Sequence, residues 1–258
     1  MLRFRSLGSG SSGNATVIEA GSGHNVRRLL VDCGLGLRHL EQRLARAGIE
    51  GSDIHAIFIT HEHGDHIGCA RAFAVRQRVP VWMSVGTYRA IGSPDFEGLL
   101  RPATDGIAID LGEMCIAPFT VPHDAREPLQ LTCTDGASRL GIVTDLGHAT
   151  SHVMNQLALC NALLLECNHE SGLLAESSYP PSLKKRVGGK YGHLSNSNSA
   201  QIARLLNHGG LATVVAAHLS RENNRPELAR AALSQALDRD TEDIAVADHL
   251  VGTPWIRV

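Results

Sequence analysis

Ile57-Phe58-Ile59-Thr60-His61-Glu62-His63-Gly64-Asp65-His66 decides how the chain is read. The apolar run before His61 predicts a buried strand, and it passes straight into a loop with three imidazoles and a carboxylate in six residues. Such a cluster is costly at the end of an apolar strand unless a cation neutralises it. Imidazole nitrogen and carboxylate oxygen suit Zn²⁺, and also Mn²⁺ or Fe. Gly64 would permit the tight backbone that turns consecutive ligands toward one point. The spacing His-x-His-x-Asp-His therefore reads as a metal-binding loop.

Three further residues share one local feature, a polar side chain immediately after an apolar strand. His123 follows Ile116 to Val121 and one proline, Asp145 follows Gly141 to Thr144, and His218 follows Thr213 to Ala217. Alone, each would pass for a strand-terminal capping residue. Ligands at the carboxyl ends of neighbouring strands converge on one crevice, and together with the loop they make the inventory of a two-metal site.

The rest of the chain reads as strands with intervening helices. Strands are predicted at Leu2 to Ser6, Ala15 to Ala20, Arg28 to Val31, Ala56 to Thr60, Val79 to Ser84, Cys115 to Val121, Leu129 to Thr134, Arg139 to Thr144, Ala162 to Glu166 and Thr213 to Ala217. Helical patterns cover Leu37 to Ala47, Ile67 to Gln77, Ser151 to Leu159, Ser197 to Asn207 and Pro226 to Asp238, the last with Asn224 as a cap and Pro226 near its first turn. This mixture predicts a layered α/β sandwich with helices on the outer faces of sheets. No repeat, low-complexity tract or Pro-rich linker marks a boundary, so one domain spanning 1–258 is expected.

Hydrophobic residues make up 43% of the 258, enough for a substantial core, and aromatics only 4%, so that core is built from Val, Ile, Leu and Ala. A net charge of −2 excludes a protein that coats nucleic acid by bulk electrostatics, and any such contact must be local. With no long apolar run and no apolar leader between Met1 and Gly10, a cytoplasmic location away from membranes is expected. Cys33, Cys69, Cys115, Cys133, Cys160 and Cys167 form no Cys-x-x-Cys pair and read as reduced core residues. The fourteen histidines are the exceptional count, and where they fall carries the functional reading.

Asp32, His61-Glu62-His63-Gly64-Asp65-His66, His123, Asp145 and His218, in that order, resemble the five motifs of the metallo-β-lactamase fold over nearly the whole chain. The resemblance implies a four-layer αββα sandwich, two mixed β-sheets flanked by helices, and two divalent metal ions per chain, Zn²⁺ or Mn²⁺ with Fe as a further candidate. It implies that His61, His63 and His123 bind a first metal, that Asp65, His66 and His218 bind a second, and that Asp145 bridges them. Asp32 matches an aspartate that orients the ligand loop without binding metal, although an Asp before Gly34 also suits a turn.

That fold hosts thioester, lactam and phosphodiester hydrolysis and oxygen reduction, so the site must name the substrate. Iron-type flavoproteins would usually carry a carboxylate where His63 stands, and a secreted antibiotic hydrolase would need a signal peptide. Gly192-His193-Leu194-Ser195-Asn196 is similar to a segment of the phosphodiesterase branch that includes ribonuclease Z, which implies that His193 protonates the leaving oxygen as general acid. A helix-capping His193 before Ser195 is the plainer alternative.

Ser9-Gly10-Ser11-Ser12-Gly13-Asn14, Glu166-Cys167-Asn168-His169, Tyr179-Pro180-Pro181-Ser182-Leu183-Lys184, Gly192 to Asn196 and Ala217-His218-Leu219-Ser220-Arg221-Glu222-Asn223-Asn224 resemble the bacterial YycJ (WalJ) subfamily. Cys167 departs from it mildly, standing where a small Ser is expected. The resemblance implies an exonuclease acting 5′-to-3′ on double-stranded DNA through a metal-bridging hydroxide, with Asp65 orienting that nucleophile. The alternatives are a small-molecule phosphodiesterase for cyclic or nucleotide esters, a glyoxalase II-like thioesterase, and a protein that binds DNA ends without cutting them. No inserted domain between Asp145 and His218 and no Gly/Pro-rich arm are present, which disfavours large structured RNA.

Substrate contacts are expected from three places. The loop Gly8 to Gly13, with Ser11, Ser12 and the adjoining Asn14, offers backbone N–H groups for a phosphate or serves as a plain hairpin turn. Lys184 and Lys185, with Arg186 and Lys190, would grip a nucleic-acid backbone or form a solvated helix face. His169 faces substrate or supports the metal ligands.

Overall fold

The computed structural model describes residues 1–23 and 25–258. Its first sheet contains β1 (Leu2–Gly8), β2 (Ala15–Ser22), β3 (Asn25–Val31), β4 (Ala56–Phe58), β5 (Val81–Met83) and β6 (Leu100–Pro102). The second contains β7 (Ile109–Asp110), β8 (Cys115–Thr120), β9 (Leu129–Thr134), β10 (Arg139–Val143), β11 (Ala162–Glu166), β12 (Thr213–Ala217) and β13 (Ala245–Val246). A final strand, β14 (Ile256–Arg257), returns to pair with β1, giving the orders β14-β1-β2-β3-β4-β5-β6 and β13-β12-β11-β10-β9-β8-β7. The helices are α1 (Leu37–Arg46), α2 (Gly64–Ile67), α3 (Ala70–Gln77), α4 (Val85–Ala90), α5 (Ser151–Leu157), α6 (Ser171–Glu176), α7 (Pro181–Val187), α8 (Asn196–Leu206) and α9 (Pro226–Leu237).

Three apolar layers hold these elements in the four-layer αββα arrangement. Phe4, Ile18, Phe58, Ile116, Leu131 and Ile142 lie between the two sheets. Leu40, Leu44, Phe73 and Ile57 join α1 and α3 to the outer face of the first sheet, and Val153, Leu163, Ile202 and Leu233 join α5, α8 and α9 to that of the second. A strand covered on both faces reads as a near-continuous apolar run, as the inner strand β11 does from Ala162 to Leu165 before ending in the buried Glu166.

Topology places the site. β3, β4, β5 and β6 run parallel, so Asp32 after β3 and His61 after β4 emerge on one rim. In the second sheet β10, β11 and β12 are parallel, and β8 runs the same way because β9 is antiparallel to both β8 and β10. His123, Asp145, Glu166 and His218 therefore all stand at or just past carboxyl ends of strands that point one way.

Two expectations from the sequence are corrected. The helix predicted from Ile67 to Gln77 is broken between α2 and α3 at Gly68, where the backbone turns to φ 25°. A Cβ there would lie 2.4 Å from the Cys33 carbonyl oxygen, and Cys69 N–H donates to that oxygen at 2.9 Å. The tight backbone expected at Gly64 is found instead at Gly34. Gly64 opens α2 with nothing within 4 Å of its Cβ position, whereas a Cβ on Gly34 would sit 1.7 Å from the Asp65 carbonyl oxygen. The sequence pattern also missed α4, α6 and α7 and the edge strands β6, β7, β13 and β14. These elements are too short for a period to register, and α7 buries no side chain. The six cysteines are free, four of them buried. No helix among the described residues is long and apolar enough to cross a membrane.

Candidate metal centre

The loop from β4 into α2 and the ends of β8, β10 and β12 bring all seven predicted ligands together. His61, His63 and His123 form one donor group, Asp65, His66 and His218 another, and Asp145 lies in groups with His61 and His66 and with His193 and His218. His63 Nδ1 faces His61 Nε2 at 3.1 Å and His123 Nε2 at 3.2 Å. Asp145 Oδ2 is 3.0 Å from His66 Nε2, while its Oδ1 is 3.7 Å from His123 Nε2 and 3.8 Å from His218 Nε2. Asp65 Oδ2 approaches His218 Nε2 at 3.4 Å and His66 Nε2 at 3.7 Å.

Hydrogen bonds behind the ligands set their orientation. Asp32 accepts from Thr60 N–H at 2.9 Å and pairs with His66 Nδ1 at 2.7 Å, leaving His66 Nε2 to face the centre. Thr60 Oγ1 lies 3.0 Å from both Asp32 carboxylate oxygens and from His61 Nδ1. His123 Nδ1 bonds the Gly192 carbonyl at 3.1 Å, and His218 is held by Asn168 through its own carbonyl at 3.0 Å and by Ser9 Oγ, which accepts its N–H at 2.8 Å. Asp32 and His218 both adopt left-handed backbone, φ 61° and 54°. Non-glycine residues take that conformation at a cost, and such strain concentrates at functional sites.

The charges of the cluster fit divalent cations. Burial alone would raise the Asp145 carboxyl, but the imidazoles of His218 and His66 outweigh it and hold it well below the usual carboxylate range. Burial is likewise overcome at His66 and His218 by Asp145, so His66 is pushed well up and His218 to about 10. Burial, then His66, drives His61 the other way. Some imidazoles thus take protons to satisfy carboxylates while others are driven neutral, a division that a shared cation replaces. Asp145 Oδ2 is buried with no hydrogen-bond partner among the described residues, since its approach to His66 is close but poorly aligned. An orphaned buried carboxylate oxygen is costly, and a metal ion satisfies it. Imidazole nitrogens and carboxylate oxygens are suitable donors for Zn²⁺ or Mn²⁺.

Glu166 is a candidate functional residue that the strand-end reading overlooked. It ends the apolar strand β11 and carries the same local signal that marked Asp145. Its Oε2 accepts N–H bonds from Leu146 at 2.9 Å and Leu194 at 3.1 Å, and its Oε1 pairs with His193 Nδ1 at 2.7 Å. The His193 ring stacks on His218 at 5.3 Å and keeps 21% of its side chain exposed. Burial would lower the His193 imidazole, and Glu166 overrides it and raises it.

The expected substrate contacts are placed unevenly. Ser11 and Ser12 are exposed at the loop tip, but Gly10 N–H donates to Asn14 Oδ1 and Gly13 N–H to the Gly10 carbonyl, so those two groups serve the loop itself. Asn14 is buried and its side-chain amide reaches the Asp65 carbonyl and His66 Nε2, which makes it a support of the ligand loop. His169 is buried, with Nδ1 unpaired among the described residues. Lys184 bonds the Ala175 carbonyl and Lys185 is exposed on α7. Of that basic group Arg186 comes nearest the centre, pairing with Asp124, whose Oδ1 is 3.5 Å from His123 Nε2.

Comparison with known proteins gives the family. The signature of the Metallo-beta-lactamase superfamily matches residues 8–185. Exodeoxyribonuclease YycJ of Bacillus anthracis is 31% identical over 242 residues, covering 92% of this chain and 89% of that protein. Exodeoxyribonuclease WalJ of Streptococcus pneumoniae is 29% identical over 232 residues, 88% and 85% of the respective chains. Among solved structures, the metallo-beta-lactamase fold protein YhfI from Bacillus subtilis superposes over the whole of both chains with a TM-score of 0.76 at 15% identity.

Proposed function

The chain belongs to the metallo-β-lactamase superfamily and is a metal-dependent hydrolase, and from that premise we propose that it is a two-metal phosphodiesterase acting as a 5′-to-3′ exonuclease on double-stranded DNA. The observation that carries the phosphodiester reading is the Glu166–His193 pair beside the ligand cluster. A thioester releases a stable thiolate, whereas the alkoxide released from DNA needs a proton, so an imidazole held for donation suits the second reaction. The exodeoxyribonuclease names of its relatives favour DNA as the substrate.

His61, His63 and His123 would hold one ion and Asp65, His66 and His218 the other, with Asp145 shared. Bound there, two divalent ions would bring the pKa of a water toward about 7 and neutralise charge on phosphate oxygens. The remaining work belongs to the chain. Asp32 and Thr60 hold His61 and His66 from behind, and Asp65, the more exposed carboxylate, orients the attacking water. Glu166 fixes His193 through Nδ1, which leaves Nε2 to carry the proton to the departing oxygen.

Two measurements test this reading. Elemental analysis after saturation with Mn²⁺ or Zn²⁺ should find two equivalents of metal per chain, because seven ligands exceed what one tetrahedral ion uses. At most one equivalent would overturn the two-metal assignment. End-labelled duplex DNA, single-stranded DNA, RNA and bis-p-nitrophenyl phosphate should then be compared with added Mn²⁺ or Zn²⁺. Progressive shortening of the duplex is expected. Hydrolysis of cyclic or nucleotide esters with DNA left intact would make the protein a small-molecule phosphodiesterase.

A further inference from the structure

Immediately after His218 the chain enters a second cleft that the metal chemistry does not use. It encloses about 390 Å³ between the loop after β12, the start of α9 and the turn after β13. Arg221, Arg225 and Arg230 line it together with Ser9 and Ser220, and Leu219, Pro226, Val246 and Ala247 supply apolar surface. The volume falls in the range of small-ligand sites, about 300 to 1,000 Å³, and exceeds what a bare anion fills.

The charge in this cleft is unbalanced. Arg221 meets His249 Nε2 at 2.6 Å, Arg225 donates to the carbonyls of Arg221, Glu222 and Asn224, and Arg230 Nε donates to the Ile244 carbonyl at 3.1 Å. None of the three is ion-paired with a carboxylate among the described residues. The one acid in the lining, Asp248, accepts the N–H groups of Leu250 and Val251. Guanidinium groups bind phosphate through several donors at once, and a concave site focuses their charge.

The cleft and the metal centre share their supports. Ser9 Oγ accepts the His218 N–H, and Ser220 N–H donates to the Asn168 carbonyl at 2.8 Å while the Asn168 side chain holds His218. His218 and Arg221 are three residues apart, so their Cα atoms are separated by at most about 11 Å. At about 3.4 Å of rise per nucleotide in one strand, that reaches a phosphate within about three nucleotides of the scissile bond.

We propose that this arginine-lined cleft is a subsite that anchors one phosphorylated nucleotide of the substrate strand beside the metal centre. The guanidinium groups take the phosphate, and the apolar wall of Leu219, Val246 and Ala247 takes the sugar or base. This rests on the phosphodiesterase reading, which assigns the neighbouring centre to a nucleic-acid strand.

The test measures binding to the full-length, metal-loaded protein. A fluorescent duplex with cleavage-resistant phosphorothioate terminal linkages is prepared with and without a phosphate on its strand ends. Wild type should bind the phosphorylated duplex about tenfold or more tighter, and Arg221→Gln with Arg230→Gln should abolish that preference. The slope of log affinity against log salt should fall by about 1 to 2 for the two lost contacts, and Arg221→Lys should restore part of the preference. Unchanged melting temperatures would establish that each variant is folded.

Deoxyadenosine monophosphate, in its 5′ and 3′ forms, and inorganic phosphate are titrated separately. Arginine-dependent nucleotide binding without duplex cleavage would uphold the cleft and overturn the DNA reading. Duplex cleavage with the same phosphate preference in wild type and the arginine variants would do the reverse. Inorganic phosphate binding as tightly as the nucleotide would overturn the role of the apolar wall and with it the nucleotide subsite.

Discussion

Asp145→Ala is expected to lose metal and turnover together, with activity falling below detection, whereas Asp32→Ala should keep measurable activity at about 10- to 100-fold lower metal affinity. The difference follows from where the two carboxylates stand. Asp145 is buried at the junction of both donor groups, with one oxygen toward His66 and the other toward His123 and His218. Removing it takes an anion from both sites at once and leaves His66 and His218 without the partner that raises their affinity for protons. Asp32 touches only the far side of His66 and Thr60, so its loss loosens an orientation without removing a ligand. Metal content by elemental analysis and rate on duplex DNA, measured on variants shown to be folded by circular dichroism, decide the matter. Equal retention of metal and rate in Asp145→Ala would contradict the bridging assignment.

His193→Ala should lower turnover on DNA by about 100- to 10,000-fold while both metals stay bound. The proton that His193 supplies matters only when the leaving group is a poor one. On bis-p-nitrophenyl phosphate, whose leaving group needs little protonation, the same variant should lose far less. The nearest partner of His193 Nδ1 is Glu166 at 2.7 Å, with Asp145 Oδ1 farther off at 3.4 Å, so Glu166→Gln should show the same split between substrates in weaker form. Loss of a metal in His193→Ala would make the residue a ligand, and an unchanged rate on DNA would remove the general-acid role. Either result would also withdraw the main mechanistic support for nucleic acid over a thioester.

The candidate metal centre was legible in the sequence as a set of residues that the fold brings together, because most of them carry a local mark. His61, Asp145 and His218 each follow an apolar run long enough to form a strand, and a polar group in that position must meet water, a partner or a cation. The loop ligands lie within six consecutive residues, so proximity needed no tertiary argument. The longer strands were legible for a similar reason. Leu129–Thr134, Ala162–Glu166 and Thr213–Ala217 are sharply bounded, largely buried runs in which apolar residues predominate.

Tertiary structure decided what depends on pairs distant in the chain. Glu166 and His193 are 27 residues apart, Arg186 and Asp124 are 62 apart, and Ser9 reaches His218 across 209. No periodicity encodes such pairings, since they arise only when parallel strands align their carboxyl ends and neighbouring loops meet there. The break at Gly68 has the same origin, because the helical pattern from Ile67 to Gln77 is locally sound and yields only to the Cys33 carbonyl that crosses it. The arginine-lined cleft gathers residue 9, residues 219–230 and residues 246–249. In the sequence its arginines are ordinary polar residues of a loop and a helix, and only the fold gathers them around one cleft, where none is ion-paired with a carboxylate among the described residues.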